Sequence, residues 1–306
     1  MRRIALLAAV VALLAGCSVL SKPAGTDGDL TNGWAAQPSP SERVPATGSC
    51  LTTGGIVAYN DKADPQTTPA DCTGKHKLEV VKTGRFPDDS SVPGWGSKPM
   101  QAAYADCGKA ASDYLGADWH TGWLFVHVGR PSSAAWAGGA RTYVCGLAEF
   151  ERTDYSARAL ERTSSLKGEL AKADTAAAKR CVRLVGSGSD SYGFYKSIAG
   201  EERVDCATPH DGEFAGMVAL PDGAYPSWQA QSDYLFPRCL QIVAAWLGLS
   251  ENAFNRRTDI WLYYTYLDDE TQWFAGDRTS GCYAMVPTKH LVKASIKGLG
   301  GGKLPA

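Results

Sequence analysis

The chain has 306 residues, with 31 basic and 32 acidic side chains and a formal net charge of −1. This balance gives no indication of nucleic-acid binding, and no basic run indicates strong binding to an anionic lipid or polymer. Hydrophobic residues make up 44% of the chain and aromatic residues 10%, which indicates folded domains with substantial cores.

The N-terminus has the layout of an export signal. A basic start, Met1-Arg2-Arg3, precedes an apolar run over residues 4–15 that is too short to span a bilayer as a helix. The run ends in Leu14-Ala15-Gly16-Cys17, which resembles a bacterial lipobox. The sequence therefore predicts a lipoprotein signal peptide over residues 1–16, cleavage before Cys17, and attachment of a fatty acyl chain such as palmitate to that cysteine. The alternative is an ordinary signal peptide with a stray cysteine near its end.

Residues 17–47 differ in composition from the rest of the chain. They are rich in Pro, Gly, Ser, Thr and Ala and show no apolar period. Such a segment buries too little surface to offset the entropy of ordering it, so it predicts a flexible tether. The protein is then expected to be anchored to the cell membrane, on its extracytoplasmic face.

The other eight cysteines form two copies of one pattern, about 130 residues apart. Sequence motifs around them repeat in the same order. Asp-Cys-x3-His-x2-Glu begins at Asp71 and again at Asp205, and Trp-x2-Gly-x-Arg-x3-Cys begins at Trp136 and again at Trp273. This is a tandem duplication, with repeats at 48–168 and 179–298, a linker at 169–178 and a flexible tail at 299–306. The cysteines are, in order, Cys50, Cys72, Cys107 and Cys145, then Cys181, Cys206, Cys239 and Cys282.

Each repeat predicts the same secondary structure. Apolar residues that follow Cys107 and Cys239 recur with helical spacing, and Gly116 and Gly248 stand where a helix C-terminal glycine belongs. Pro237 suits the first turn of the second helix. Strand-like runs at 78–82, 123–128 and 142–147 return at 214–220, 261–266 and 281–286. Each repeat is predicted to run strand, strand, helix, strand, strand. The predicted fold class is α+β: two small homologous domains, each a mostly antiparallel sheet covered by one helix and stapled by disulfides.

An exported protein lies in an oxidising compartment, where paired cysteines become disulfides. Lipidation of Cys17 leaves an even number, eight, for this purpose. Zinc binding by Cys206 and His210 is the alternative, but no second close cysteine pair follows and no Cys-x-x-Cys motif occurs, so we expect no metal. Three connectivities are open in each repeat, and neighbour pairing is favoured: Cys50–Cys72, Cys107–Cys145, Cys181–Cys206 and Cys239–Cys282.

Two repeated motifs supply the candidate site residues. The pairs His76/Glu79 and His210/Glu213 are the repeated titratable groups, and each pair meets only if its His lies in the loop before the strand. No repeated Ser or Asp completes a triad, so a structural role for the His is favoured and no catalytic residue is assigned. In the second motif, Trp and Arg are expected to stack and hold a turn, with a ligand site as the alternative. Its residues are Trp136, Arg141, Trp273 and Arg278.

These motifs together resemble the septum formation family. The resemblance rests on the Asp-Cys-x2-Pro-His-x2-Glu block at 205–213, the inward helix cysteine, the Trp-x2-Gly-x-Arg-x3-Cys block and the Ser-Leu-Lys-Gly ending at 165–168. The first repeat departs from the pattern, with Lys75 where the family has Pro and a shortened strand before Cys72. The resemblance implies an exported or membrane-anchored actinobacterial protein with a predicted role in cell division and no established enzymatic activity.

We therefore expect a non-enzymatic lipoprotein without a cofactor that acts as a binding or scaffolding module of the cell envelope, in septum formation. Its expected partners are the membrane, reached through the N-terminal lipid, and envelope or division proteins or a cell-wall polymer. Two alternatives stay open. One is an envelope hydrolase that uses the His/Glu pairs. The other is an extracellular protein that binds a small ligand or a cell-wall fragment.

Overall fold

Two five-stranded antiparallel sheets make up the described part of the chain. The computed structural model describes residues 44–53, 68–88, 91–154, 156–267 and 270–305. The predicted signal peptide, Cys17 and the tether up to residue 43 lie outside the described residues.

The first repeat folds into a sheet of strand order β2-β1-β3-β5-β4. Helix α1 packs on one face of this sheet. The short helix α2 follows β4 and precedes β5 along the chain. The elements are β1 (Cys50–Leu51), β2 (Pro69–Ala70), β3 (Leu78–Arg85), α1 (Lys98–Leu115), β4 (Leu124–Gly129), α2 (Ser133–Ala137) and β5 (Thr142–Glu149).

The second repeat has the same topology, with strand order β7-β6-β8-β10-β9. The elements are β6 (Cys181–Ser189), β7 (Tyr195–Val204), β8 (Gly212–Ala219), α3 (Trp228–Leu247), α4 (Glu251–Phe254), β9 (Trp261–Tyr264), α5 (Glu270–Ala275) and β10 (Thr279–Met285). The predicted α+β class and the duplication are confirmed. Each sheet has one strand more than the four predicted, because β2 is only two residues long and β7 is largely polar, so neither has a clear apolar period.

The two long helices begin about ten residues before the segment that the sequence predicts. Ser97 caps α1 by accepting a hydrogen bond from the Met100 N–H at 3.4 Å, and Ser227 caps α3 through the Ala230 N–H at 3.2 Å. Both helices end as predicted, at glycines in the left-handed conformation, with φ of +82° at Gly116 and +78° at Gly248.

The prediction that Pro237 lies in the first turn of its helix is wrong. Helix α3 begins at Trp228 and carries Pro237 in its interior. An interior proline costs about 3 kcal/mol because it removes one helical hydrogen bond and crowds the preceding turn. The apolar face continues through the proline, with Leu235, Cys239 and Val243 all buried, and this burial offsets the cost.

Four disulfides connect the helices and strands in the favoured neighbour pairing. Cys107–Cys145 joins α1 to β5, and Cys239–Cys282 joins α3 to β10; all four of these cysteines are fully buried. In each repeat the other bridge ties the first strand to the loop ahead of the third. Each repeat thus has one bridge inside its core and one near its surface.

The two repeats belong to one compact unit. Residues leaving β5 run beside β7 of the second sheet, where the Thr153 N–H donates to the Glu201 carbonyl at 3.0 Å and the Arg203 N–H to the Glu151 carbonyl at 2.7 Å. The residues that follow β5 therefore add a short extended segment to the edge of the second sheet.

The predicted linker also contacts the first repeat. The Trp123 N–H donates to the Ala177 carbonyl at 2.7 Å, and the Lys179 N–H donates to the Thr121 carbonyl at 2.8 Å.

At the other end of the chain, Arg257 donates to the carbonyls of Gly300 at 2.6 Å and Gly302 at 2.9 Å. The flexibility assigned to residues 299–306 stays a prediction.

Candidate functional site

The first repeated His/Glu pair forms a buried cluster at the start of β3. His76 lies just ahead of the strand, and its Nε2 is 3.2 Å from Oε1 of Glu79. The other ring nitrogen, Nδ1, contacts the Gly74 carbonyl at 2.9 Å. Both side chains are buried. The pair meets because the His precedes the strand, which is the condition that the sequence sets.

The second repeat reproduces this geometry. His210 Nε2 is 3.2 Å from Oε1 of Glu213, and Nδ1 is 2.8 Å from the Thr208 carbonyl. Burial by itself lowers the pKa of His210, but the hydrogen bonds to Glu213 and Thr208 outweigh burial and the net pKa is raised. A carbonyl and a carboxylate both accept, so a ring that donates from both nitrogens fits this site.

The repeated Ser-x-Lys-Gly ending is explained by the same carboxylates. The Leu166 N–H and the Ser165 hydroxyl donate to Glu79 at 2.7 and 2.9 Å. In the second repeat the Ile296 N–H and the Ser295 hydroxyl donate to Glu213 at 2.8 and 2.6 Å. Each buried Glu thereby fastens the last segment of its repeat to the third strand.

These clusters have a structural role: each one holds the last segment of its repeat against the third strand. Cys50 lies close to His76 and Glu79, and Cys181 close to His210 and Glu213, so each set brings together atom types that bind metals. However, Cys50 and Cys181 are in disulfides and offer no thiolate, and each carboxylate already accepts several hydrogen bonds. Burial also shuts both His/Glu pairs off from a substrate, so the hydrolase alternative gains no support from this geometry.

The repeated Trp and Arg stack, as the sequence predicts. The Arg141 guanidinium lies 4.0 Å from the Trp136 ring centre, and Arg278 lies 3.8 Å from that of Trp273. Each Arg also donates to the backbone carbonyl of its own Trp, closing the turn. Both Trp side chains are buried. The ligand-binding alternative for these four residues stays a prediction.

A cavity of about 450 Å³ lies between the two repeats, and the sequence gives no sign of it. Strand β4 supplies one wall: Leu124, Val126 and Val128 are buried, while the alternate residues Phe125 and His127 are the more exposed ones. Aromatic residues of the second sheet that face away from helix α3 supply the other wall, namely Phe214, Tyr263 and Tyr283.

Two buried carboxylates of the second repeat line this cavity, and neutral or weakly basic groups of both repeats hold them. Asp277 accepts from His120 at 3.2 Å, from Gln272 at 2.9 Å and from Tyr104 at 3.4 Å. Burial by itself raises the pKa of Asp277, but the His120 hydrogen bond and charge, with further hydrogen bonds, lower it overall. Glu201 accepts from the Thr153 hydroxyl and from the Tyr263 hydroxyl.

Within the part of the chain that the structure describes, the side chains of His127 and Lys179 in this cavity have no hydrogen-bond partner. His127 Nε2 is buried and has no hydrogen-bond partner among the described residues. Burial lowers the pKa of His127 to about 4, so the ring is neutral near pH 7. Burial also lowers the pKa of Lys179, whose ammonium lies 5.9 Å from the centre of the Phe214 ring.

The cavity cannot be predicted from the repeated motifs because its polar residues are not repeated. Asp277 occupies the variable position of the Trp-x2-Gly-x-Arg motif, where the first repeat has Ala140. Lys179 stands at the junction of the predicted linker and the second repeat. A comparison of the two copies for their differences, rather than their likenesses, singles out Asp277.

Fold and site together define a duplicated, disulfide-stapled α+β protein with a cavity between its repeats. The chain belongs to the septum formation family, which matches residues 47–282. It is also similar, at 25% identity over 301 residues, to two proteins of Mycobacterium tuberculosis, one from strain CDC 1551 and one from strain H37Rv. Each of these is described as an uncharacterized membrane protein.

The alignment with these relatives covers 92% of this chain and 63% of the relatives' length. No solved structure gives a significant match. Neither the family description nor the descriptions of the two relatives names an enzymatic activity. Among the described helices, none combines the length and apolar character needed to cross a membrane.

Proposed function

We propose that this protein is a lipid-anchored, extracytoplasmic lipoprotein that serves septum formation as a binding or scaffolding module of the cell envelope. The observation that carries the proposal is membership of the septum formation family over residues 47–282. Membrane association is in keeping with the description of both mycobacterial relatives as membrane proteins.

An extracytoplasmic location is supported by the cysteines. Eight of the nine pair within their own repeats, and such disulfides persist in oxidising compartments. The ninth, Cys17, ends the Leu-Ala-Gly-Cys sequence after the apolar run. Stable anchoring through Cys17 takes two or more acyl chains, because a single chain holds a protein at a membrane only weakly.

A binding or scaffolding role is supported by how the molecule distributes its polar groups. The repeated titratable pairs are buried and fasten segments of the fold together, whereas His127 Nε2 in the cavity between the repeats has no hydrogen-bond partner among the described residues. A cavity with such a group is suited to recognition of a partner or ligand.

Lipid attachment is tested with the full chain, carrying a C-terminal epitope tag and expressed in an actinobacterial host. Cells are fed an alkyne analogue of palmitate, and the protein is tested for label and for digestion by protease added to intact protoplasts. We expect a labelled, membrane-bound, protease-accessible protein. Cys17→Ala is expected to abolish the label.

The matched control is the double variant Cys50→Ala/Cys72→Ala, which removes one disulfide and keeps the lipidation cysteine. It is expected to retain the label. Label retained in Cys17→Ala, or a protein that is protected from protease in intact protoplasts, overturns the anchored extracytoplasmic assignment.

A further inference from the structure

We infer that the cavity between the two repeats is a binding site for an uncharged saccharide, with Lys179 and His127 as the residues that recognise its hydroxyl groups. The inference deepens the proposed binding role by assigning a site and a ligand class. It rests on the cavity itself and holds whether or not the protein acts at the septum.

The size and walls of the cavity suit a small ligand. A volume of about 450 Å³ falls within the range of roughly 300–1,000 Å³ that is usual for small-molecule sites. Phe125, Phe214 and Tyr263 present aromatic surface to it. Phe125 is 48% exposed, an unusual degree for a large apolar side chain on a strand that faces another domain.

The unsatisfied polar groups indicate what the ligand must supply. His127 Nε2 is a buried polar atom without a partner among the described residues, which costs free energy unless a ligand or water pairs with it. Lys179 forms no side-chain hydrogen bond or ion pair with the described residues, and its ammonium has three donors to offer. A ligand hydroxyl accepts from the ammonium and either donates to or accepts from the imidazole.

The charges around Lys179 disfavour an anionic ligand. Glu201 and Asp277 line the same cavity as Lys179, and both carboxylates act on the Lys179 charge. Each carboxylate is already held by hydroxyl or amide donors, with His120 also on Asp277. Even with the His120 charge counted, two carboxylates leave no surplus positive charge to attract an anion, whereas an uncharged polyol needs none. The apolar C–H face of a sugar ring packs on an aromatic wall in the same site.

The test uses the full chain purified in detergent, titrated with two uncharged disaccharides, N,N′-diacetylchitobiose and cellobiose. Binding is followed by saturation-transfer NMR and by tryptophan fluorescence. We expect saturable binding of at least one disaccharide in the millimolar range or tighter. Succinate and triglycine, as an anionic and a zwitterionic probe, are expected not to compete.

Variants then locate the site. Lys179→Met keeps the side-chain length and removes the ammonium, and we expect it to weaken binding about tenfold or more, the loss usual for a hydrogen bond to a charged group. His127→Phe is expected to weaken binding as well. The matched control, Lys196→Met, changes an exposed lysine of β7 outside the cavity and is expected to bind as the original protein does.

A measurement on the unaltered protein covers the case in which a variant fails to fold. Bound disaccharide is expected to slow amide hydrogen exchange in strand β4 and near Glu201. The inference is overturned by the absence of saturable disaccharide binding, by binding that leaves exchange in both segments unchanged, by binding that a folded Lys179→Met variant retains in full, or by succinate or triglycine binding in place of the disaccharides.

Discussion

Single buried carboxylates fasten distant segments of this chain together. Glu79 and Glu213 each accept hydrogen bonds from a His ahead of the strand and from a Ser hydroxyl and a backbone N–H near the end of the repeat. A buried carboxylate that accepts several hydrogen bonds contributes strongly, because losing it leaves each of its donors unsatisfied.

Replacing Glu213 by Gln is expected to destabilise the protein by about 1–3 kcal/mol, because the carboxamide turns an N–H₂ group toward donors that need an acceptor. The free energy of unfolding is measured by urea denaturation. Glu251→Gln, at an exposed position, serves as the control and is expected to change stability by a few tenths of a kcal/mol. Equal stability of the two variants contradicts this structural role.

His127 makes the stability of the protein depend on pH. Its pKa is about 4 in the folded protein and ordinarily 6.5, so the unfolded chain binds more protons between these values. Stability is therefore expected to fall as the pH is lowered from about 6.5 to about 4, by at most about 3 kcal/mol from this group.

His127→Phe tests this dependence. The variant is expected to lose less stability than the original protein between pH 6.5 and pH 4, as measured by denaturant unfolding at several pH values. Identical pH profiles for the two proteins contradict the assignment of a low pKa to His127.

At the scale of helices and strands, duplication offers pairs of equivalent positions that differ in their surroundings. Gly116 and Gly248 end α1 and α3 with similar positive φ values, of +82° and +78°. A Cβ on Gly116 would lie 2.8 Å from the Ala171 Cβ, whereas the nearest atoms to a Cβ on Gly248 are 3.9 Å away.

Alanine at either position is expected to cost about 1 kcal/mol from the left-handed backbone alone. Gly116→Ala is expected to cost more than Gly248→Ala, because the linker residue Ala171 must also move. Thermal unfolding of the two variants decides the order. A larger loss for Gly248→Ala contradicts this account of the first helix end.

The two disulfides of each repeat differ in exposure, and their rates of reduction should follow. Cys72 and Cys206 are partly exposed, whereas all four cysteines of the helix-to-strand bridges are fully buried. Because thiol exchange depends on access, dithiothreitol is expected to open Cys50–Cys72 and Cys181–Cys206 first. Alkylation and mass spectrometry follow the order, and early alkylation of Cys239 or Cys282 contradicts it.

Much of this architecture can be predicted because two copies of one pattern support each other. The helix ends, the paired strands and the favoured disulfide pairing all follow from positions shared by both repeats. The start of α3 is missed because Pro237 masks a helix that tertiary burial maintains, whereas Ser97 and the proline after it are a start signal that the sequence does offer for α1. The cavity is missed because contact between the repeats depends on residues that are not shared.

At the scale of the whole molecule, the two repeats are joined by strand pairing and by a shared buried acid. Glu149 at the end of β5 pairs with Arg162 of the first repeat and Arg203 of the second. Gly200 lets the backbone of the first repeat approach β7, since a Cβ there would lie 2.8 Å from the Asp154 backbone nitrogen. We therefore expect both repeats to unfold in a single transition.

Gly200→Val is expected to push the two backbones apart and split that transition in two, as followed by calorimetry. Gly301→Val is the control, because a Cβ at Gly301 meets no atom within 4 Å. A single transition that survives in Gly200→Val contradicts the view that this contact couples the repeats.

We propose that the protein acts in the cell envelope at the division septum, held there by lipid on Cys17. The most direct test of this proposal is localisation in dividing cells of the source bacterium, with an export-competent fluorescent protein fused to the C-terminus. We expect a signal concentrated at nascent septa that is lost in Cys17→Ala. A uniform signal around the membrane throughout the cell cycle would contradict the claim.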